Sequence, residues 1–256
     1  MNSPSHSTTA PVALVTGANK GIGFHIARGL GKAGRHVLVG ARSQQRGNAA
    51  VAALRKEGVS AQLLPLDVTD ENSIAEAAHQ VASEFGRLDA LVNNAGIAKG
   101  SASGRTSELS ASVLREVYET NVFAVLAVTN AFIPWLLKAG SPRIVNVSSD
   151  VGSFDTVLRA DTPLWPLQPG AYGSSKTALN MLTVSYAKEF RDTPLKINAV
   201  TPGYCATDLN GHNGWRTAQQ GAQAAITMAL IDHHGPHGIF SSDGTIEYLE
   251  STSVPW

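Results

Sequence analysis

Two hydrophobic rhythms take turns along this chain. Short apolar runs rich in Val, Leu and Ile fall at 12–16, 36–40, 61–66, 90–92, 143–147 and 196–200, with a weaker one at 238–240. Several are nearly unbroken, as expected of strands covered on both faces. Between them, segments 22–33, 44–57, 71–85, 108–138, 171–191 and 217–231 carry apolar residues at helical spacing. Strand and helix in alternation predict a parallel sheet of about seven strands with helices on both sides. The fold class is therefore α/β, doubly wound. No repeat and no linker interrupts the pattern, so residues 11–256 read as one domain and residues 1–10 as a loose polar tail. The 108–138 stretch is the strongest helix signal, and its spacing predicts one continuous helix. Asn121 lies on its apolar stripe, in steps of four between Val117 and Val125. A buried amide needs partners, so Asn121 is either a satisfied core residue or part of a site.

Composition removes several classes of function. A chain of 256 residues with 43% hydrophobic content can build its core without disulfides or metal. Its single cysteine, Cys205, excludes an intrachain disulfide. No run approaches the roughly 18 apolar residues of a membrane span, and the polar start lacks a signal-like apolar segment. A soluble, cytoplasmic protein without membrane partners is the expectation. The charges balance, with 20 Lys+Arg against 20 Asp+Glu, but their distribution is uneven. Eight bases precede the first acid, Glu57, a field suited to a phosphate-rich small molecule. Phe24 is the only Phe, Trp or Tyr in that basic segment, which argues against a nucleic-acid surface. His233, His234 and His237 lie in a Gly/Pro loop without acid or thiol support, so no metal site is expected.

The first strand runs into Thr16-Gly17-Ala18-Asn19-Lys20-Gly21-Ile22-Gly23 and then into a helix. Gly17 allows a tight turn, while Gly21 and Gly23 let the backbone approach a pyrophosphate at the helix start. The end of the second strand reads Gly40-Ala41-Arg42, where an NAD site usually places an acid for the ribose hydroxyl. Arg42, with Lys20 in the turn, suits a 2′-phosphate instead, so the expected cofactor is NADP(H).

Further motifs follow in order: Asp67-Val68, Asn93-Asn94-Ala95-Gly96, Asn121, Ser148-Ser149, Tyr172-x-x-x-Lys176 and Pro202-Gly203. With the glycine turn, they resemble the short-chain dehydrogenase/reductase family in its single-domain, Rossmann-type branch. The chain looks most like the NADPH-dependent carbonyl reductases, through the glycine turn, Ala41-Arg42-Ser43 and Gly235-Pro236-His237-Gly238-Ile239-Phe240. The resemblance implies a reductase of ketones or aldehydes, running in reverse as an alcohol dehydrogenase. It implies Tyr172 as proton donor, Lys176 holding the nicotinamide ribose, Ser149 on the substrate carbonyl, and Asn121 fixing a water beside Lys176. Ser149 is chosen over Ser148 on the family's Ser-x-x-Gly pattern, here Ser149 to Gly152. The resemblance also assigns Gly17, Asn19, Lys20, Gly21, Ile22, Gly23, Arg42, Asp67, Val68, Asn94, Ala95, Gly96, Pro202, Gly203, Cys205 and Thr207 to the cofactor. Chemistry fits the Tyr/Lys pair independently. They stand one helical turn apart, and an adjacent ammonium would lower a phenol that otherwise titrates near about pH 10.

One departure concerns the 23 positions between Ser149 and Tyr172, longer than the family's usual interval. The excess at 154–170 resembles a shortened carbonyl-reductase insertion, implying a monomer or homodimer rather than a tetramer. Phe154, Leu164 and Trp165 of this insertion, with Tyr204, Leu209, His212 and Trp215, are candidate pocket residues. The loop at 207–215, with two glycines and two asparagines, suits a mobile segment. No Lys or Arg falls within 160–170 or 204–215, so a neutral carbonyl substrate is expected. The alternatives are a 3-oxoacyl-carrier-protein-type reductase and a non-catalytic NADP(H)-sensing protein; the latter tends to lack a Tyr/Lys pair.

Overall fold

The computed structural model describes residues 9–100, 105–249 and 251–256. Residues 1–8 of the expected tail lie outside these; the Ala10 carbonyl accepts a hydrogen bond from Arg87. Seven strands form one parallel sheet: β1 (Val12–Thr16), β2 (His36–Ala41), β3 (Ala61–Pro65), β4 (Ala90–Asn93), β5 (Arg143–Val147), β6 (Lys196–Val200) and β7 (Phe240–Ser241). Their spatial order is β3-β2-β1-β4-β5-β6-β7, with every named pairing parallel. This is the Rossmann-type doubly wound arrangement.

Side-chain alternation on β1 explains why its sequence is apolar throughout. Ala13 and Val15 face one layer with α1 (Gly21–Lys32) and α2 (Gln44–Lys56), represented by Ile26, Leu30, Val51 and Leu54. Val12 and Leu14 face the other, built on α3 (Glu71–Phe85), where Ile74 and Val81 meet Phe132, Leu136 and Tyr186 from further along the chain. Two buried layers leave no polar side to the central strands. The chain reverses winding between β1 and β4. Ligands of such sheets bind in the crevice beyond the carboxyl ends there.

The expected single helix over 108–138 is interrupted. It consists of α4 (Ala111–Tyr118), a π-helical segment at Glu119–Phe123 and α5 (Ala124–Leu136). Asn121 sits in that segment, fully buried, and its amide accounts for the irregularity. Its Oδ1 accepts from Ile97 N at 2.9 Å, and its Nδ2 donates to Ile97 O at 2.9 Å and Ser175 Oγ at 3.0 Å. One extra residue in the turn brings the side chain to these partners.

After β5 come α6 (Phe154–Leu158), within the insertion, and the long α7 (Gly170–Glu189). The expected 217–231 helix divides into α8 (Ala218–Gly221) and α9 (Gln223–Leu230). A Cβ on Gly221 would lie 2.3 Å from Cys205 Sγ, so α8 packs directly on the chain after β6. The last strand begins two residues later than expected. Its start follows a tie made by His237, which accepts from Ile197 N at 3.1 Å and bonds Ala187 O at 2.7 Å. Among the described residues no helix is long and apolar enough to cross a membrane.

Candidate active site

The glycine turn is held from the neighbouring strand end. Thr16 Oγ1 accepts from the backbone N–H of Asn94 and of Ala95, each at 3.0 Å. Asn94 Nδ2 donates back to Thr16 O at 2.9 Å. Gly17 and Gly21 have φ of +65° and +56°, the left-handed region that glycine adopts freely. A Cβ on Gly23 would fall 2.6 Å from Gly17 O and 2.5 Å from Asn94 Nδ2. The turn therefore admits no side chain there. Lys20, the N-cap of α1, makes no side-chain cap bond, and the first turn holds no acid. Its leading N–H groups thus point to an anion rather than to a cap. That cradle, with Asn19 and Ile22 beside it, fits a dinucleotide pyrophosphate.

Arg42 is exposed immediately after β2. Lys20, in contrast, is engaged: its ammonium pairs with Asp208, which also meets His212 Nε2 at 2.9 Å. Asp67 and Val68 follow β3; the Asp67 carboxylate accepts from Thr69 N at 3.1 Å and Thr69 Oγ1 at 2.8 Å, shaping its own loop. Gly96 lies against both Asn121 and Lys176: a Cβ there would be 3.3 Å from Asn121 Oδ1 and 3.7 Å from Lys176 Nζ.

Ser149, Tyr172 and Lys176 converge beyond β5. Ser148 is directed elsewhere, donating to Asn180 Oδ1 at 2.6 Å, which leaves Ser149 as the hydroxyl that acts on Tyr172. Lys176 is buried; its Nζ donates to Val147 O at 2.8 Å and stands 5.5 Å from the Tyr172 ring centroid. Burial pulls its pKa down to about 8. The expectation of an ammonium-lowered tyrosine needs correction in this geometry. Tyr172 is instead pushed above its ordinary value, by burial first and then by the Asp150 carboxyl, with Ser149 opposing. Lys176 directs its charge at a carbonyl, so it does not offset that desolvation.

Asp150 was not among the residues singled out from sequence. It is 3% exposed, accepts from Ser149 Oγ at 3.1 Å and Val151 N at 3.0 Å, and bonds the Tyr248 hydroxyl from the C-terminal segment. Its position directly after Ser149 was the only sequence signal. Tyr248, 98 positions away, carried none.

Pro202, Gly203, Tyr204 and Cys205 follow β6. A Cβ on Gly203 (φ +69°) would meet Arg216 Cδ at 2.7 Å. Arg216 is buried, paired with Asp243, and its backbone holds Tyr204 and Ala206 at 3.1 and 2.8 Å. Cys205 is buried, donates to Pro202 O at 3.3 Å, and has its thiol pushed up to about 11 by burial. That rules against an activated thiolate.

The pocket candidates divide. Phe154, Trp165, Leu209 and Trp215 are exposed, and Trp215 packs on Tyr204 with ring centroids 4.9 Å apart. Leu164 is 2% exposed, an anchor of the insertion rather than a lining residue. His212 (φ +63°) is tied to Asp208. The 207–215 loop is internally braced: Thr207 and Asn210 form a reciprocal cap, and Asn210 Nδ2 donates to Cys205 O at 2.9 Å. Its asparagines thus serve turn geometry. Among the described residues no group of three His, Cys, Asp or Glu is placed to hold a metal.

A glycine cradle at the switch point and a Ser–Tyr–Lys cluster beside it define a dinucleotide-dependent oxidoreductase architecture. The sequence profile of the short chain dehydrogenases matches residues 11–217, and this chain belongs to that family. Among its relatives, carbonyl reductase [NADPH] 1 of Mus musculus is 32% identical, covering 94% of this chain and 99% of that one. The (+)-neomenthol dehydrogenase of Arabidopsis thaliana is 34% identical, covering 91% of this chain and 96% of the relative. The solved structure of salutaridine reductase from Papaver somniferum superimposes with a TM-score of 0.78. It is 28% identical, over 90% of this chain and 99% of that one.

Proposed function

We propose that the protein is an NADPH-dependent reductase of neutral ketones or aldehydes. The observation that carries this reading is the Ser149–Tyr172–Lys176 cluster, set beside the uncapped start of α1, with Arg42 directly after β2. NADPH, when bound, supplies the hydride. Gly17, Asn19, Gly21, Ile22 and Gly23 would hold its pyrophosphate. Arg42 and Lys20 would hold the 2′-phosphate, Lys20 by exchanging Asp208 for that anion. Asp67, Val68, Asn94, Ala95 and Gly96 would border the adenosine side, while Pro202, Gly203, Cys205 and Thr207 would border the nicotinamide. The likeness to carbonyl reductase [NADPH] 1 supports the choice of cofactor.

Within this frame Ser149 donates to the substrate carbonyl oxygen and Tyr172 delivers the proton to it. The raised Tyr172 pKa keeps the phenol protonated before transfer, and it also makes the phenol a weaker acid than one poised near neutrality. Lys176 would orient the ribose. Asn121 keeps the Ile97 backbone and Ser175 in register behind Lys176. The pocket would be apolar, with Tyr204, Leu209 and Trp215 facing Phe154 and Trp165. The nearest arginines are neutralised, Arg159 by Asp161 and Arg216 by Asp243, so neither offers a free cation to a carboxylate substrate.

Phe123, Leu126 and Met181 are exposed apolar side chains, and a monomer or homodimer remains the proposed state. A panel of aryl and alkyl ketones, aldehydes and short oxo acids, assayed with NADPH and NADH, tests the reading. Preferred reduction of neutral carbonyls with NADPH is the expected result. Preference for oxo acids overturns the substrate class, preference for NADH the cofactor, and failure of every carbonyl the reaction.

A further inference from the structure

Arg216 has no part in the proposed reaction, yet the fold buries its charge beside the site. Its side chain and that of its partner Asp243 are 7% and 10% exposed. One guanidinium nitrogen donates to Thr245 Oγ1 at 2.8 Å and Thr245 O at 3.2 Å. Another donates to the Asp243 carboxylate and to Gln220 O on α8 at 3.4 Å. Thr245 closes the knot by donating to Asp243 Oδ1, through its Oγ1 at 2.8 Å and its N at 3.1 Å. Three parts of the chain thus meet on one planar group: the segment after β6, α8, and the segment after β7.

The same residue braces the chain at 203–206. Arg216 N donates to Tyr204 O at 3.1 Å and Arg216 O accepts from Ala206 N at 2.8 Å, so Cys205 and Arg216 form a parallel bridge. A Cβ on Gly214 would fall 2.2 Å from Cys205 C and 2.3 Å from Ala206 N, and one on Gly203 2.7 Å from Arg216 Cδ. Both glycines let the two backbones and the arginine stem lie in contact. The other end of the segment is tied to the reacting groups. Thr201 Oγ1 accepts from Gly203 N and from Asp150 N, each at 3.1 Å, and Asp150 directly follows Ser149. The backbone at 203–206 is therefore fixed between Thr201, on the side of Ser149, and Arg216 with Asp243 on the other.

We propose that Arg216 is a positioning residue for hydride transfer: anchored by Asp243 and Thr245, it holds the 203–206 backbone so that the nicotinamide is presented to the substrate carbon beside Ser149 and Tyr172. The proposal rests on the reading that this segment borders the nicotinamide of NADPH. It makes the C-terminal segment at 243–245 a support of that half of the site. Stability alone is a poor reason for such a pair. Taking two charges out of water offsets most of their attraction, and apolar side chains of similar volume often serve as well. What a guanidinium adds is direction, because its N–H groups leave a rigid plane along fixed lines. Direction matters most where reacting atoms must be placed, since a displacement of about 1 Å can cost about 100-fold in rate. Arg216 acts through the backbone of Tyr204 and Ala206, not by contact with substrate.

Arg216→Met keeps the apolar stem and removes every directed side-chain bond. In single turnovers with NADPH and a ketone, its hydride-transfer rate should fall about 10- to 100-fold. A merely structural loss would lower the amplitude, because fewer molecules are folded, and leave the rate of the remainder unchanged. Calorimetric titration gives a readout apart from turnover. R216M should bind NADPH about 10-fold more weakly, and adenosine 2′,5′-bisphosphate, which lacks the nicotinamide, within about twofold of wild type. Thr245→Val removes one hydroxyl at an exposed position, so it should fold and show both effects in the same direction, at about 3-fold. Wild-type rates and NADPH affinities in R216M and T245V overturn the proposal, and so does equal weakening of both ligands. Should R216M not fold, T245V alone decides between these outcomes. Thr207→Ala separates this claim from the reading beneath it. If T207A also leaves NADPH affinity unchanged relative to the bisphosphate, the segment does not border the nicotinamide. If T207A weakens NADPH selectively and R216M does not, only the role of Arg216 is refuted.

Discussion

Replacing Gly23 by alanine puts a methyl group where the fold has no room. The new Cβ would stand 2.6 Å from Gly17 O, 3.1 Å from Ala18 Cα and 2.5 Å from Asn94 Nδ2. Asn94 could swing aside only by losing its 2.9 Å bond to Thr16 O. The Gly17 carbonyl is backbone in a left-handed turn and cannot swing at all. Overpacking of this kind costs about 1–3 kcal/mol, and the lost hydrogen bond about 1 kcal/mol more. At about 2–4 °C per kcal/mol for a chain of this size, Tm should fall on the order of 10 °C. The start of α1 must also withdraw from the pyrophosphate position. A helix-terminus interaction with an anion is worth up to about 2 kcal/mol, so NADPH should bind roughly 10- to 30-fold more weakly. Thermal unfolding without ligand and fluorescence titration with NADPH read the two effects separately. Gly140→Ala is the control, since a Cβ at Gly140 meets nothing within 4 Å, and its cost should stay within about 0.5 kcal/mol. A G23A protein with wild-type Tm and NADPH affinity would refute the packing argument.

Three other substitutions test the site. Arg42→Asp should weaken NADPH binding by about 10- to 100-fold, the worth of a charge-assisted bond, and leave NADH nearly unaffected; equal losses would remove Arg42 from cofactor selection. Tyr172→Phe should lower kcat by about 100- to 10,000-fold while NADPH affinity stays near wild type, as measured by titration and steady-state rates. Lys176→Met tests the buried amine through its pH dependence. With a folded pKa of about 8 against 10.5 in an ordinary lysine, the unfolded chain binds more protons between these values. Wild-type stability should therefore rise with pH across that window relative to K176M, by on the order of 3 kcal/mol. Parallel denaturant-derived stability curves for the two proteins would contradict the burial of Lys176.

What local sequence determined here is the set of strands and the turn chemistry between them. Unbroken apolar runs such as Val12 to Val15, bounded by turn residues, suit strands covered on both faces, and six strands occur where the runs predict them while the seventh starts two residues late. The glycine turn was legible because φ near +60° at Gly17 and Gly21 is a backbone demand that the residue type itself records. Tyr172 and Lys176 were legible because the ordered motifs around them resemble the family, a reading that their spacing of one helical turn supports. The helical rhythm at 108–138, however, is blind to the partner of a polar residue on its stripe. Only the approach of Ile97 and Ser175 to Asn121 decided that a π-helical segment would divide the helix. The same holds for charge. Lys20 looked free until the fold brought Asp208 to it across 188 positions, and Lys176 looked like a field on Tyr172 until Val147 O claimed its ammonium. Asp150 became a site residue only because folding buried it against Tyr248. Strand and turn propensities act over a few residues, so one dimension records them. Desolvation and hydrogen-bond partnership depend on which distant segments arrive at the same point, and tertiary packing alone sets that.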